Sequence, residues 1–196
     1  MIRSIPLVLS VALVAVVGGC SDSGGSASGS TGGAPGGRPG ELQPVPNDAF
    51  YVPPDTLSGM APGTLIRSEE VTPIAEDSRT FAVLYASESL RGEAIAVSGL
   101  VVVPDAPAPE GRFNVVSWAH GTKGIADVCA PSRGFSGATH DFFDIAPELV
   151  DAGYVAVSSD YEGLGTPGLH PYLVGESQAR GKDVRRWRER QRARVH

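Results

Sequence analysis

The stretch "FNVVSWAHGTKG", residues 113–124, decides the fold. Residues 113–118 are a near-continuous apolar run, the pattern of a strand buried on both faces of a sheet. Ala119, His120, Gly121 and Thr122 leave its carboxyl end. Upstream, residues 80–86 and 94–104 are rich in β-formers and flank the turn "SLRGE", so they are expected to pair as an antiparallel hairpin. Pro104 stops the second strand, and 105–112 is a Pro/Gly loop. Downstream, 142–152 has helical spacing, with Asp144 near its start and Ile145, Leu149 and Ala152 on one face. Gly153 ends that helix. Residues 154–158 are another apolar strand, and "SDYEGLG" (159–165) leaves its carboxyl end.

The order is therefore hairpin, strand, long loop, helix, strand, loop. A strand–helix–strand unit makes a parallel pair. An antiparallel start leading into a mostly parallel sheet is the opening of an α/β-hydrolase fold, here expected to be incomplete. Ligands in such sheets bind at the carboxyl ends of the strands. Both loops just quoted lie there.

Composition and charge narrow the function. Of 196 residues, 41% are hydrophobic, enough for a core. The formal charge of −6 hides two segments. Residues 180–196 hold eight basic and two acidic residues, whereas the remainder holds eight basic and twenty acidic ones. An acidic body argues against nucleic acid as a partner.

The N-terminus reads as an export signal. Arg3 is followed by an apolar run from Pro6 to Val17, too short for a comfortable membrane span. Val17-Gly18-Gly19-Cys20 then resembles a bacterial lipobox, in which the Cys is acylated. The expected organisation is a signal peptide over 1–19, a disordered Gly/Ser/Pro-rich tether over 20–46, a folded body over 47–181 and an Arg-rich tail over 182–196. Acylated Cys20 would hold the protein on the extracytoplasmic side of the cell membrane. Cys129 is then the one other cysteine. Either its partner lies outside the chain, or it is a small buried residue.

Two loops carry candidate chemistry. Backbone N–H groups after the third strand of this fold sit where an ester's tetrahedral oxyanion forms, each worth about 2.7–4 kcal/mol. Gly121 and Thr122 are the oxyanion-hole candidates, with Thr122 N–H the preferred donor. The alternative is a tight turn with a structural His120. Asp160 and Glu162 alternate in the second loop, which is weak geometry for paired carboxylates; Asp160 is expected to bond N–H groups of its own turn. No metal or cofactor site is expected.

Ala119-His-Gly-Thr122, Cys129-Ala-Pro-Ser132 and Asp160-Tyr-Glu-Gly-Leu-Gly165 together resemble the N-terminal part of the secretory lipase family of α/β hydrolases, over about residues 62–181. The resemblance implies an exported serine lipase or esterase acting on acylglycerols or other carboxylic esters through a Ser-Asp-His triad. It also marks His120, Asp160 and Tyr161 as candidates to line the site.

"GESQA", residues 175–179, looks like the G-x-S-x-G turn of such a nucleophile. A nucleophile elbow needs a buried strand running into it. Pro171 leaves only Tyr172, Leu173 and Val174 before Gly175, so Ser177 is expected in the first turns of a helix. The acid and base after it are limited to Asp183, Glu189 and His196, in the tail. None of the triad is therefore expected in this chain. The abrupt Arg-rich tail is what a frame shift or truncation would produce; the alternative is a genuine basic helix for an anionic membrane or a partner. Two functions compete. One is a lipid-anchored lipase or esterase, inactive alone in this form. The other is a non-enzymatic surface lipoprotein that binds a partner or ligand.

Overall fold

The structure, a computed structural model, describes residues 45–134 and 142–181. The expected signal peptide, Cys20, nearly all of the tether and the Arg-rich tail lie outside the described residues.

Among the described residues, five strands form one sheet in the order β1-β2-β3-β5-β4. β1 (Leu65–Val71), β2 (Ser78–Glu88) and β3 (Ala94–Pro104) are an antiparallel meander. β5 (Tyr154–Ser159) runs antiparallel to β3, and β4 (Asn114–Trp118) runs parallel to β5. Between β4 and β5 the chain makes two 3-10 turns and then helix α1 (Phe142–Asp151). A second short helix, α2 (Gly175–Gly181), follows β5 after a long loop.

The expected hairpin is β2–β3. Ser89 closes its turn: its N–H donates to Glu93 O, and its hydroxyl accepts from the Arg91 and Glu93 N–H groups. Gly92 supplies the positive φ that the turn needs. β3 can meet β5 only because residue 99 is glycine. A Cβ there would stand 2.3 Å from the Ser158 carbonyl oxygen.

One sheet face carries Ala82, Leu84, Leu100, Val102 and Ala156, and packs on Phe142, Ala146 and Val150 of α1. Burying a Phe or Leu fully is worth about 1.5–3 kcal/mol. The buried stripe of α1 is thus i, i+4, i+8 from Phe142, one position from the expected face. Ile145 and Leu149 are partly buried at its margin, and Ala152 is exposed. The other sheet face gathers Val83, Val101 and Val155.

β4 corrects the expectation of a strand buried on both faces. Asn114 is exposed and the next four residues are half-buried. Among the described residues its strand neighbour is β5 alone, whereas a central strand has one on each side. β1 had no counterpart among the expected strands. Its sequence, LIRSEEV, is half charged or polar and buries only Val71.

Candidate functional site

The carboxyl ends of β4 and β5 face the same side, because these strands are parallel and paired from Asn114↔Tyr154 to Trp118↔Ser158. Two loops therefore start beside each other: 119–124 after β4 and 160–174 after β5.

Asp160 is the first residue beyond β5 and is completely buried. Its carboxylate accepts the Ser98 hydroxyl at 2.6 Å and the Ser132 N–H at 3.0 Å, and the Ser132 hydroxyl closes on the same carboxylate. Its own N–H donates to Ser98 O at 2.9 Å. The expected bonds within its own turn are not what holds it; β3 and the 3-10 turn Pro131–Arg133 do. Burial raises the Asp160 carboxyl above its usual range, and the Ser132 and Ser98 hydrogen bonds oppose that rise.

The N-terminal segment docks on the same cluster. Tyr51 donates its hydroxyl to Ser132 O at 2.9 Å, and its ring lies under the Arg133 guanidinium, 3.8 Å from the centroid. Arg133 also bonds Asp48 at 2.5 Å and Gly165 O at 3.2 Å. Burial pushes the Tyr51 phenol well above its usual value. Sequence reasoning gave no role to Ser98, Ser132, Tyr51 or Arg133.

Tyr161 follows Asp160 with φ +73°, a left-handed conformation that is rare for a bulky residue. It turns the ring beneath the β4 loop, where it lies 4.1 Å from the His120 ring. Its hydroxyl donates to His120 O at 2.9 Å. Burial pushes this phenol up to about 12, so it keeps its proton near neutrality. His120 Nδ1 contacts Gly121 O at 2.8 Å; a carbonyl only accepts, so that nitrogen carries the proton.

Gly121 and Thr122 are exposed above this layer. The two peptide planes that carry their N–H groups are held through the carbonyls of His120 and Gly121, by the Tyr161 hydroxyl and the His120 ring. Neither their N–H groups nor any partner for them appears among the hydrogen bonds of the described residues. Thr122 Oγ1 touches Tyr172 OH, on the facing loop, at 3.3 Å. Leu169 and Leu173 beside it are 92% and 75% exposed, which makes that rim apolar.

The expected site residues thus divide by depth. Gly121 and Thr122 face outward. His120, Asp160 and Tyr161 are each under a tenth exposed and lie beneath them.

Ser177 lies in the first turns of α2 and is 2% exposed. The preceding residues form a turn rather than a strand. Its hydroxyl donates to Glu162 Oε2 at 2.6 Å. The histidine near that loop, His170, is engaged through Nδ1 with Glu162 O at 2.8 Å. Cys129 is buried, as the second of its two readings has it, and is disulfide-bonded rather than a lone thiol. The chain's other cysteine is Cys20. Among the described residues, no group of three or more His, Cys, Asp or Glu is placed to hold a metal ion, and no helix is long and apolar enough to cross a membrane.

No protein-family model matches the sequence, and no curated protein matches it. Solved structures do. Candida antarctica lipase A in its closed state superposes with a TM-score of 0.62 at 24% identity, over 76% of this chain and 37% of that one. The rice cell wall degrading esterase LipA from Xanthomonas oryzae superposes with a TM-score of 0.54 at 26% identity, over 68% of this chain and 39% of that one. The chain thus spans under two fifths of the length of either. The mixed sheet with its parallel β4–β5 pair is that of an α/β hydrolase, and its structural neighbours are lipases and esterases.

Proposed function

We propose that this chain presents the oxyanion-binding backbone of a carboxylic-ester hydrolase of the lipase and esterase kind. One observation carries the reading. Gly121 and Thr122 are exposed at the carboxyl end of β4 with their N–H groups unspent, over a buried layer that fixes them. In acyl transfer, a serine oxygen attacks the ester carbonyl and charge builds on its oxygen. Fixed N–H donors stabilise that charge without reorganising. The resemblance adds acylglycerols or other carboxylic esters as substrates.

Ser177, the serine of the elbow-like "GESQA", is engaged with Glu162 in a helix rather than presented beside these donors. The purified chain is expected to leave p-nitrophenyl butyrate unhydrolysed, and Ser177→Ala to behave like its parent. Turnover abolished by that substitution would overturn this assignment. The nucleotide sequence downstream, translated in every frame, is expected to encode a G-x-S-x-G segment followed by Asp and His. Its absence would sink the hydrolase reading. In a chain that carries both the β4 loop and such a segment, Thr122→Pro, which removes the N–H, should lower kcat about 10²–10³-fold.

Anchoring through an acylated Cys20 belongs to the same proposal. Acylation and a disulfide are alternative fates of that thiol, because one sulfur cannot serve both. Mass spectrometry of the protein purified from membranes decides between them: a diacylglyceryl adduct supports the anchor, and a Cys20–Cys129 cross-link removes it.

A further inference from the structure

Tyr161 is the one residue of the loop after β5 that is both conformationally costly and bonded to the loop after β4. Its φ of +73° needs a reason. The residues around it hold it there. Asp160 is fixed by Ser98 and Ser132, and the Tyr161 N–H donates to Ser159 Oγ at 3.2 Å. Gly163, at φ +63°, then folds the loop back so tightly that a Cβ would meet the Leu169 carbonyl at 2.6 Å.

The consequence lies in two peptide planes. No described peptide is cis, and in a trans peptide the N–H points opposite to the C=O. The Tyr161 hydroxyl grips the His120 carbonyl, so the Gly121 N–H points away from Tyr161. The His120 ring, packed on the Tyr161 ring, grips the Gly121 carbonyl, so the Thr122 N–H points away from His120. One side chain reaches both planes, the first by its hydroxyl and the second through the histidine it supports.

We propose that Tyr161 is the positioning residue for the Gly121 and Thr122 donors. Its left-handed backbone is the means of bringing the phenol under the β4 loop. This rests on the oxyanion reading above for its purpose, but not for its geometry. It also separates two roles within one residue: the hydroxyl sets Gly121, and the ring sets Thr122 by way of His120.

The test uses the full chain labelled with 13C and 15N. Tyr161→Phe keeps the ring and removes the hydroxyl. Expected is an upfield shift of the His120 carbonyl 13C and a displaced Gly121 amide resonance, with the Thr122 amide little changed. Tyr161→Leu, which also removes the ring, should displace the Thr122 amide as well. A folded Tyr161→Phe variant with the His120 carbonyl and Gly121 amide unmoved overturns the proposal. Should the variants fail to fold, the parent still decides it. A hydrogen/deuterium isotope shift on the His120 carbonyl 13C, from exchange of the tyrosine hydroxyl, is expected, and its absence overturns the assignment. These readouts need no turnover. The positioning role and the oxyanion reading therefore fail separately, the latter by the kcat of Thr122→Pro.

Discussion

Asp160 shows how a buried charge is made tolerable and what removing it would do. Its carboxylate receives two hydroxyls and one N–H, from elements 62 and 28 residues away in sequence. Asp160→Ala would strand those donors in the interior. The expected loss is about 3 kcal/mol or more, read from urea unfolding, since a buried donor left without a partner costs about 1–3 kcal/mol. The carboxyl is raised above its usual range by burial. In the window between its unfolded value and that raised value, the folded state therefore binds more protons. Its contribution is most favourable below the unfolded value and falls as pH rises through the folded one. The stability of the parent relative to Asp160→Asn should accordingly improve between neutral pH and about pH 4. A gap that instead moves against the parent on acidification would refute the sign. Little of this was legible beforehand. The sequence shows an Asp at a strand end, but Ser98 and Ser132 carry no local signal that they converge on it. The His120-Gly121-Thr122 turn was legible, because its position after an apolar strand fixes where its backbone must lie.

At the level of elements, legibility followed the strength of the pattern. β3, with its uninterrupted β-formers and terminal Pro104, has the expected bounds. α1 ends within a residue of its expected end because Gly153 takes a positive φ there. β1 escaped notice because an outer strand with one buried residue lacks periodicity. The half-buried state of β4 is a property of its neighbours, which its own residues do not encode. Gly99 is the element-scale test. It lies inside β3, where glycine weakens a strand unless a backbone comes close. Here one does, since an added Cβ would fall 2.3 Å from the Ser158 carbonyl oxygen, which is backbone and cannot swing away. Gly99→Ala should force β3 and β5 apart and cost about 1–3 kcal/mol or more. Because the loop that leaves β5 begins with Asp160 and Tyr161, the same substitution should displace the Gly121 and Thr122 amide resonances, whereas a merely local strain would leave them in place.

For the molecule as a whole, the two ends of the sheet differ. β1 is a charged outer strand; Glu70 and Arg79 pair across it in a two-point contact at 2.7 and 2.9 Å. Charge of this kind blunts an edge against pairing with another chain. β4 itself, NVVSW, holds no charged side chain. Its central residues are Val115, Val116, Ser117 and Trp118, all half-buried, and among the described residues it has β5 as its single strand partner. An apolar edge strand is a template for a further strand, and a second copy of the chain would supply one. The net charge of −6 opposes such an encounter by long-range repulsion. Salt shortens that repulsion, from a screening length of roughly 30 Å at 0.01 M to about 3 Å at 1 M. Self-association should therefore grow with both protein concentration and ionic strength, by sedimentation velocity. Ser117→Lys places a charge on β4 and should reverse it at every salt concentration. A parent chain that stays monomeric up to high salt, or a variant that associates as its parent does, would show that the β4 edge is already covered.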